Sequence, residues 1–159
     1  LEIPLIQEAL GLSGTLFPTE AYAQWKTDIE ANPSVMFPEI LERFRIGLKS
    51  SAVDYIRAQK RMMQLRQQYL KETAGFDAVL LPTSPVNPPN LDRLTTDTAF
   101  YQRVNLLALR NTRIGNLMGL CGLTLPTSVP SAGLMMLANP MAEHRLLRLG
   151  SAAEHALSA

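Results

Sequence analysis

The residues from Asn116 to Pro126 constrain the fold of this chain most, because they indicate a helix that runs directly into a short buried strand. The preceding residues, 101–114, have helical spacing, with an apolar face and arginines able to face water. Gly119 and Gly122 suit a helix end, because a residue without Cβ can enter the left-handed region that closes the last turn. Residues 123–127 are then typical of a strand that a proline cuts short.

The length and charge of the chain exclude several classes of protein. At 159 residues it is long enough for one ordinary domain with its own core. Fifteen basic and fourteen acidic residues give a net charge of +1, which argues against a nucleic-acid binder, since such proteins usually carry a concentrated basic excess. No apolar run reaches the roughly 20 residues that cross a bilayer, and a single cysteine cannot form an internal disulfide. We therefore expect a soluble cytoplasmic protein that binds neither nucleic acid nor membrane.

The first residues of the chain predict an extended segment that is followed by a helix. Residues 1–16 are apolar, contain Pro4 and two glycines, and would form either a strand or a docked extended segment. A helix is expected to start at Thr19, whose side chain can cap it, and to end at Asn32. Its apolar stripe consists of Ala21, Tyr22, Trp25 and Ile29.

A seven-residue repeat predicts that one long amphipathic helix follows, with Pro38 in its first turn and its end near Gly75. Packing of this helix inside one domain is the favoured interpretation, because small residues occupy part of the seam. A coiled-coil dimer, or a helical module that binds a partner, is the alternative. The repeat consists of Leu41, Leu48, Tyr55, Met62 and Tyr69, interleaved with Phe44, Ser51, Ala58 and Leu65.

The remaining residues alternate strands, loops and helices, which predicts a helix-rich α/β fold. Residues 76–81 predict a buried strand, and the proline-rich residues 82–89 an irregular loop at its carboxyl end. Asp97 or Thr98 would cap the helix that leads to Asn116. Residues 132–137 predict another strand and residues 142–157 a final amphipathic helix. The apolar face of that helix carries Leu146, Leu149, Ala153 and Leu157.

Three of these stretches, by their motifs and by their order along the chain, resemble the C-terminal half of the amidase signature family of amide hydrolases. One is the junction itself, in which Asn116-x-x-Gly119 is followed by a small-residue pair, a short strand and a proline. Another is the long helix followed by the strand Asp77-Ala-Val-Leu-Leu-Pro-Thr83. The last is Gly133-Leu-Met, followed by Glu143, Leu146, Leu147 and Ala152.

The chain also departs from the pattern of that family at three places. Cys121 stands where the family commonly has proline, and Met135 where it commonly has glutamine. The segment between Pro126 and Gly133 looks shortened.

The resemblance implies that residues 1–159 are the C-terminal portion of an amidase-signature α/β/α domain with a few strands of a mixed sheet, and that the N-terminal catalytic part is absent from this chain. Family members cleave amide carbon–nitrogen bonds with a Ser–cis-Ser–Lys triad and backbone amides that stabilise the oxyanion. The chain has no Gly-Ser-Ser-Gly loop, so the resemblance assigns it no catalytic residue. We expect it to be inactive alone and to need neither cofactor nor metal. Its expected partners are the missing N-terminal part or a second copy, with a small amide as substrate of the complete enzyme.

Two polar residues are the candidates for a substrate pocket. Asn116 could bond backbone groups at the helix end, and Thr83 could tie down its loop; these structural roles are the favoured ones. The functional alternative is that, in a complete enzyme, either residue borders the acyl or leaving-group pocket and orients the substrate.

Other residues that suggest chemistry have simpler explanations. Lys49-Ser50-Ser51 lies in a helical pattern without a glycine-rich loop, and Ser131-Ala-Gly133 lacks the first glycine of a nucleophile elbow. Cys121 is expected to be a small buried residue rather than a nucleophile. His144 and His155 are about three helical turns apart, too far to share a metal ion.

Overall fold

The computed structural model describes residues 2–157, which fall into two compact units. The helical unit is Pro4–Leu65, and the sheet unit consists of residues 66–157 together with residues 2 and 3. The described residues are mostly helical and contain one three-stranded sheet. The predicted helix-rich α/β class is therefore confirmed, although the three described strands pair only antiparallel and not as the expected mixed sheet.

Seven α-helices, two 3₁₀ turns and three strands make up residues 2–157. The helices are α1 (Leu5–Ala31), α2 (Pro38–Arg45), α3 (Ala52–Glu72), α4 (Leu91–Thr96), α5 (Thr98–Ala108), α6 (Arg110–Met118) and α7 (Glu143–Leu157). The 3₁₀ turns are Pro33–Val35 and Ile46–Lys49. The strands are β1 (Val79–Pro82), β2 (Cys121–Pro126) and β3 (Gly133–Ala138).

Helix α1 begins at Leu5, so the strand or extended segment predicted for residues 1–16 is wrong over its described part. Leu5, Ala9 and Leu16 are buried at helical spacing, and this apolar stripe stabilises the helix despite two glycines on its exposed side. In the sequence, those glycines and Pro4 suggested a break. Pro4 instead precedes the first turn, where a missing N–H costs nothing.

The helix start predicted at Thr19 is also wrong, because α1 continues through Pro18. The Thr19 hydroxyl donates to the carbonyl oxygen of Thr15 at 2.6 Å, as threonines inside helices do, and caps nothing. The predicted end is confirmed, since α1 stops before Asn32. Of the predicted stripe, Tyr22 and Ile29 are buried, whereas Trp25 is 52% exposed.

The single long helix predicted from Pro38 is divided in two. Helix α2 starts at Pro38 as predicted, but the 3₁₀ turn Ile46–Lys49 interrupts the chain before α3. The Ser51 hydroxyl then caps α3, accepting a hydrogen bond from the Asp54 N–H at 3.0 Å. The second half of the repeat is confirmed, because Ala58, Met62 and Leu65 are buried.

Side-chain contacts join α1 to α3 within the helical unit. Arg61 forms two hydrogen bonds to the carboxylate of Glu8, at 2.6 and 2.7 Å. The Tyr55 hydroxyl and the Gln59 amide both donate to Glu20, at 3.0 and 2.8 Å. Since Glu8 contacts the later residue of α3 and Glu20 the earlier ones, the two helices run antiparallel.

The sheet unit has β3 at its centre, with β1 and β2 antiparallel on either side. On one face Met136 and Leu125 pack with Leu146 of α7 in the hydrophobic core. On the other face, Leu137 approaches α6, where a Cβ built on Gly115 would lie 3.2 Å from its Cδ2. The strands predicted at residues 123–127 and 132–137 are thus confirmed with small shifts of boundary.

Three predictions in the sheet unit need correction or refinement. The strand predicted from Phe76 begins at Val79, and Phe76 and Leu80 are 54% and 58% exposed, because β1 is an edge strand reached through a turn. Gly119 closes α6 at φ 70° as predicted, but Gly122 lies inside β2. The cap predicted at Asp97 or Thr98 is Asp97, whose carboxylate accepts from the Phe100 N–H at 2.9 Å, but the single helix predicted from there to Asn116 is divided at Leu109 into α5 and α6.

Helix α7 covers the sheet as the sequence predicted. Leu146 is buried, Leu149 and Ala153 pack against the core, and Leu157 is 39% exposed at the end. Gly150 allows a close approach, since a Cβ there would lie 2.1 Å from Cδ2 of Leu123.

Candidate functional site

Thr83 lies at the end of the sheet, where β1 stops and β3 begins. Its N–H donates to the carbonyl oxygen of Gly133 at 2.8 Å, and its hydroxyl donates to the Thr124 hydroxyl of β2 at 3.3 Å. A Cβ built on Gly133 would lie 2.8 Å from the Thr83 Oγ1, so the glycine makes room for that hydroxyl. Thr83 therefore ties its loop to both neighbouring strands, which is the structural role expected from the sequence.

Asn111 fixes the same end of the sheet to α6. It is 6% exposed, and its side-chain amide donates to the carbonyl oxygen of Pro82 at 2.7 Å. This bond satisfies a backbone acceptor of the last residue of β1, an edge strand of the sheet. The sequence analysis missed Asn111, although its spacing to the buried residues Gly115 and Met118 places it on the buried face of α6.

A cavity of about 250 Å³ lies at this sheet end. Ser84, Asn87 and Ser131 line it together with Pro82 and Gly133. None of the described residues that line it is ionisable. Hydroxyl and amide groups can orient a polar substrate, but they supply no general acid or base at neutral pH.

Asn116, the other predicted site residue, is not brought to this sheet end. It is exposed in the last turn of α6, and its backbone carbonyl oxygen accepts the Gly119 N–H at 3.4 Å. Its side-chain amide forms no hydrogen bond with a residue in the described range. Neither Asn116 nor Thr83 is among the residues that line this cavity, although Pro82 and Ser84 on either side of Thr83 do line it.

A larger, mostly apolar groove of about 410 Å³ lies between the start of β2 and the start of α7. Leu120, Cys121 and Leu147 line it, and Glu143 is the one charged residue among the described lining residues. Cys121 is half-buried there with a free thiol, so its predicted burial is only partial.

The other residues singled out in the sequence occupy ordinary positions. The Ser51 hydroxyl caps α3 and donates to the Asp54 carboxylate at 2.6 Å. Ser131 adopts φ 63° at the turn before β3. His144 and His155 are exposed on α7, and residues 2–157 contain no cluster of three side chains suited to a metal ion.

None of the described residues with a perturbed pKa lines either cavity. In the helical unit, the hydrogen-bonded guanidinium of Arg45 holds the pKa of Glu30 below its usual value. Burial, followed by the hydrogen bond to Glu30, raises the pKa of Tyr22. In the sheet unit, burial raises the pKa of Tyr69.

Over the part of the chain that the structure describes, no helix combines the length and the apolar character needed to span a membrane. The longest helix, α1, carries five charged residues, which are Glu8, Glu20, Lys26, Asp28 and Glu30.

Curated relatives match most of this chain. A 2-amino-5-chloromuconic acid deaminase from Comamonas testosteroni is 34% identical over 115 residues, which are 69% of this chain and 24% of the deaminase. One component of the glutamyl-tRNA(Gln) amidotransferase from Myxococcus xanthus is 33% identical over 125 residues, which are 73% of this chain and 25% of that component. The chain thus spans about a quarter of the length of the curated relatives it matches. No protein-family model matches it.

Solved structures share the fold. A crystal structure of an amidase superposes with a TM-score of 0.78 at 23% identity, covering 96% of this chain and 36% of the amidase. The allophanate hydrolase of Kluyveromyces lactis superposes with a TM-score of 0.80 at 21% identity, covering 93% of this chain and 24% of the hydrolase. At these sequence identities the structural similarity establishes the fold but not the activity.

Proposed function

We infer that this chain, which belongs to the amidase signature family, is the C-terminal part of an enzyme that hydrolyses carbon–nitrogen amide bonds. The inference is supported by the relatives at 34% and 33% identity and by the motifs around Asp77, Asn116 and Gly133. Residues 1–159 would then be one portion of an amidase-signature domain. The triad of two serines and a lysine would come from the part outside this chain.

Within that enzyme, we propose that the sheet end forms one wall of the substrate pocket. The observation that carries this role is the position of Thr83, which bonds Gly133 of β3 and Thr124 of β2 and stands between Pro82 and Ser84, two residues that line the cavity at this sheet end. Asn111 holds the strand end and Gly133 leaves space for the hydroxyl, so Thr83 is preorganised to orient a polar group. Thr83 would position the amide and would not take part in bond cleavage.

Asn116 is a weaker candidate for the same substrate-orienting role. Its free side-chain amide is exposed, so it could contact substrate only if the remainder of the enzyme enclosed the end of α6. Its contribution would again be orientation by hydrogen bonding.

We propose that the chain alone is inactive and uses no cofactor. Its natural partner would be the N-terminal part of the same enzyme, and the substrate of the complete protein a small amide in the cytoplasm. The outer edges of β1 and β2, which pair with no further strand among residues 2–157, support this pairing, because open strand edges readily accept a further strand.

A segment exchange would test the proposal. In the Comamonas testosteroni deaminase, the matched segment is replaced by the corresponding residues of this chain, and turnover of 2-amino-5-chloromuconic acid is measured. We expect a folded, active chimera, and no turnover by the 159-residue chain. In the chimera, Thr83→Val should lower kcat/KM by about tenfold, the scale of one lost orienting hydrogen bond.

The control variant is Thr95→Val, which removes a hydroxyl that bonds only within α4. It should leave kcat/KM unchanged. Turnover by the isolated chain would contradict the absence of the triad. Equal activity of the chimera and its Thr83→Val variant would contradict the role of Thr83.

A further inference from the structure

Helix α3 carries an exposed apolar stripe on the side opposite to its buried seam. Val53, Ile56 and Met63 are 56%, 52% and 55% exposed. Their spacing of three and seven residues places them on one helix face, together with Lys60. The stripe lies entirely within the helical unit.

This stripe is distinct from the seven-residue repeat that suggested a partner surface in the sequence. The repeat residues Ala58, Met62 and Leu65 are buried, so that seam is already occupied within the protein. A helix with both an occupied seam and a second apolar stripe has a face left for another molecule.

The charges on the exposed stripe are all positive. Arg57 and Lys60 are exposed and form no ion pair with a residue in the described range, whereas the adjacent Arg61 is paired with Glu8. The nearest carboxylate on α3 is that of Asp54, three residues before Arg57, but it accepts the Ser51 hydroxyl at 2.6 Å and forms no ion pair with Arg57 in the described range. Two cations thus stand among three exposed apolar side chains without a balancing acid.

We propose that this basic stripe, formed by Val53, Ile56, Arg57, Lys60 and Met63, docks an acidic amphipathic helix of a partner protein. Positions 53, 56, 60 and 63 follow the alternation of three and four residues with which helices pack side by side. Carboxylates on the partner helix would meet Arg57 and Lys60.

Two other occupants fit the stripe less well. A second copy of α3 packed antiparallel about the centre of the stripe would bring Arg57 and Lys60 close to the same cations of the copy, which repel. A membrane surface would be expected to contact aromatic or leucine side chains, and the stripe has none. The opposite side of α3 is buried, so the helix cannot roll into a bilayer.

The test uses the full 159-residue chain and a labelled synthetic helix with leucine at its a and d positions and glutamate at e and g. Binding is measured by fluorescence anisotropy at low ionic strength. We expect saturable binding that weakens with added salt, and no binding of the same peptide with lysine in place of glutamate. The double variant R57E/K60E should weaken binding by about tenfold or more.

Further variants separate the stripe from general effects. I56Q/M63Q should weaken binding as strongly, whereas R148E, a charge reversal on exposed α7, should leave it unchanged. Thermal melts confirm that each variant is folded. Failure to bind the acidic peptide, or equal binding by R57E/K60E, overturns the proposal. It is equally overturned by a dimer that I56Q/M63Q dissociates, or by Lys60-dependent binding to phosphatidylserine vesicles in place of the peptide.

Discussion

Gly47 lies so close to Pro18 that a Cβ built on the glycine would be 2.3 Å from the proline carbonyl oxygen. The same Cβ would be 3.0 Å from the Cα of Thr19, so backbone surrounds the site. Gly47 is buried in the 3₁₀ turn between α2 and α3, where it allows that turn to pack directly on α1. The absence of a side chain therefore determines how the helical unit closes.

Replacing Gly47 with alanine should destabilise the protein. Either α1 or the turn must move to accept the methyl group, and such overpacking costs about 1–3 kcal/mol. Urea unfolding should show this loss as a lower midpoint with an unchanged slope.

The matched control is Gly11→Ala in the exposed part of α1, where no heavy atom lies within 4 Å of the added Cβ. Alanine there should stabilise the helix by about 0.5–1 kcal/mol, because glycine loses more backbone entropy on folding. Changes of the same sign in both variants would contradict the close approach at Gly47.

The sequence predicted the helical unit imperfectly for a related reason. The seven-residue repeat from Leu41 onward predicts a continuous helix, because periodicity reports which residues are apolar and not how near two backbones come. The break at Gly47 depends on contact with Pro18, a residue 29 positions earlier. In α1, Pro4 and the two glycines predicted that residues 1–16 would not be helical. The helix forms because its apolar stripe is buried by tertiary packing, which the local sequence does not reveal.

Asn111→Ala should destabilise the sheet unit. The substitution leaves the carbonyl oxygen of Pro82 without its buried donor, at a cost of about 1–3 kcal/mol. Asn116→Ala is the control, because it makes the same change in the same helix at an exposed side chain. Asn116→Ala should change the free energy of unfolding by no more than about 0.5 kcal/mol. Equal unfolding midpoints for the two variants would show that the bond to Pro82 contributes nothing.

The elements of the sheet unit were more predictable than its candidate site. Strands β2 and β3 and helix α7 follow from short apolar runs and from the glycine at position 119, which are local signals. The sequence also suggested that Thr83 ties down its loop, but its bonds to Gly133 and Thr124 became visible only in the structure. Asn111 was missed because a polar residue in a short helix predicts exposure, and its partner becomes visible only when β1 and α6 meet.

Protonation of the Glu30 carboxylate should lower the stability of the protein at acid pH. Its carboxylate accepts from Arg45 at 2.8 Å and from the Tyr22 hydroxyl at 3.1 Å, and the folded pKa lies below the usual 4.5. Because the folded pKa is depressed, the contribution is fully present above about pH 4.5 and is lost as the pH falls through the lower folded value. The melting temperature of the wild type should therefore exceed that of Glu30→Gln at neutral pH, and the gap should narrow in acid.

The control for this prediction is Asp28→Asn, which neutralises an exposed acid of the same helix whose side chain bonds to no residue in the described range. Its melting temperature should track the wild type more closely at neutral pH than that of Glu30→Gln. A gap between wild type and Glu30→Gln that stays constant across the acid range would show that the pair with Arg45 is not linked to folding.

Leu146 and Leu147 are neighbours on α7 that should respond differently to truncation. Leu146 is 3% exposed and packs with Leu125, Met136 and Ala138, so alanine there leaves a cavity and should cost about 2–5 kcal/mol. Leu147 is 60% exposed, and alanine there should cost less than about 0.5 kcal/mol. Urea unfolding of both variants measures the difference. Similar losses would mean that α7 does not face the sheet as described, whereas the expected contrast fixes its orientation over β2 and β3.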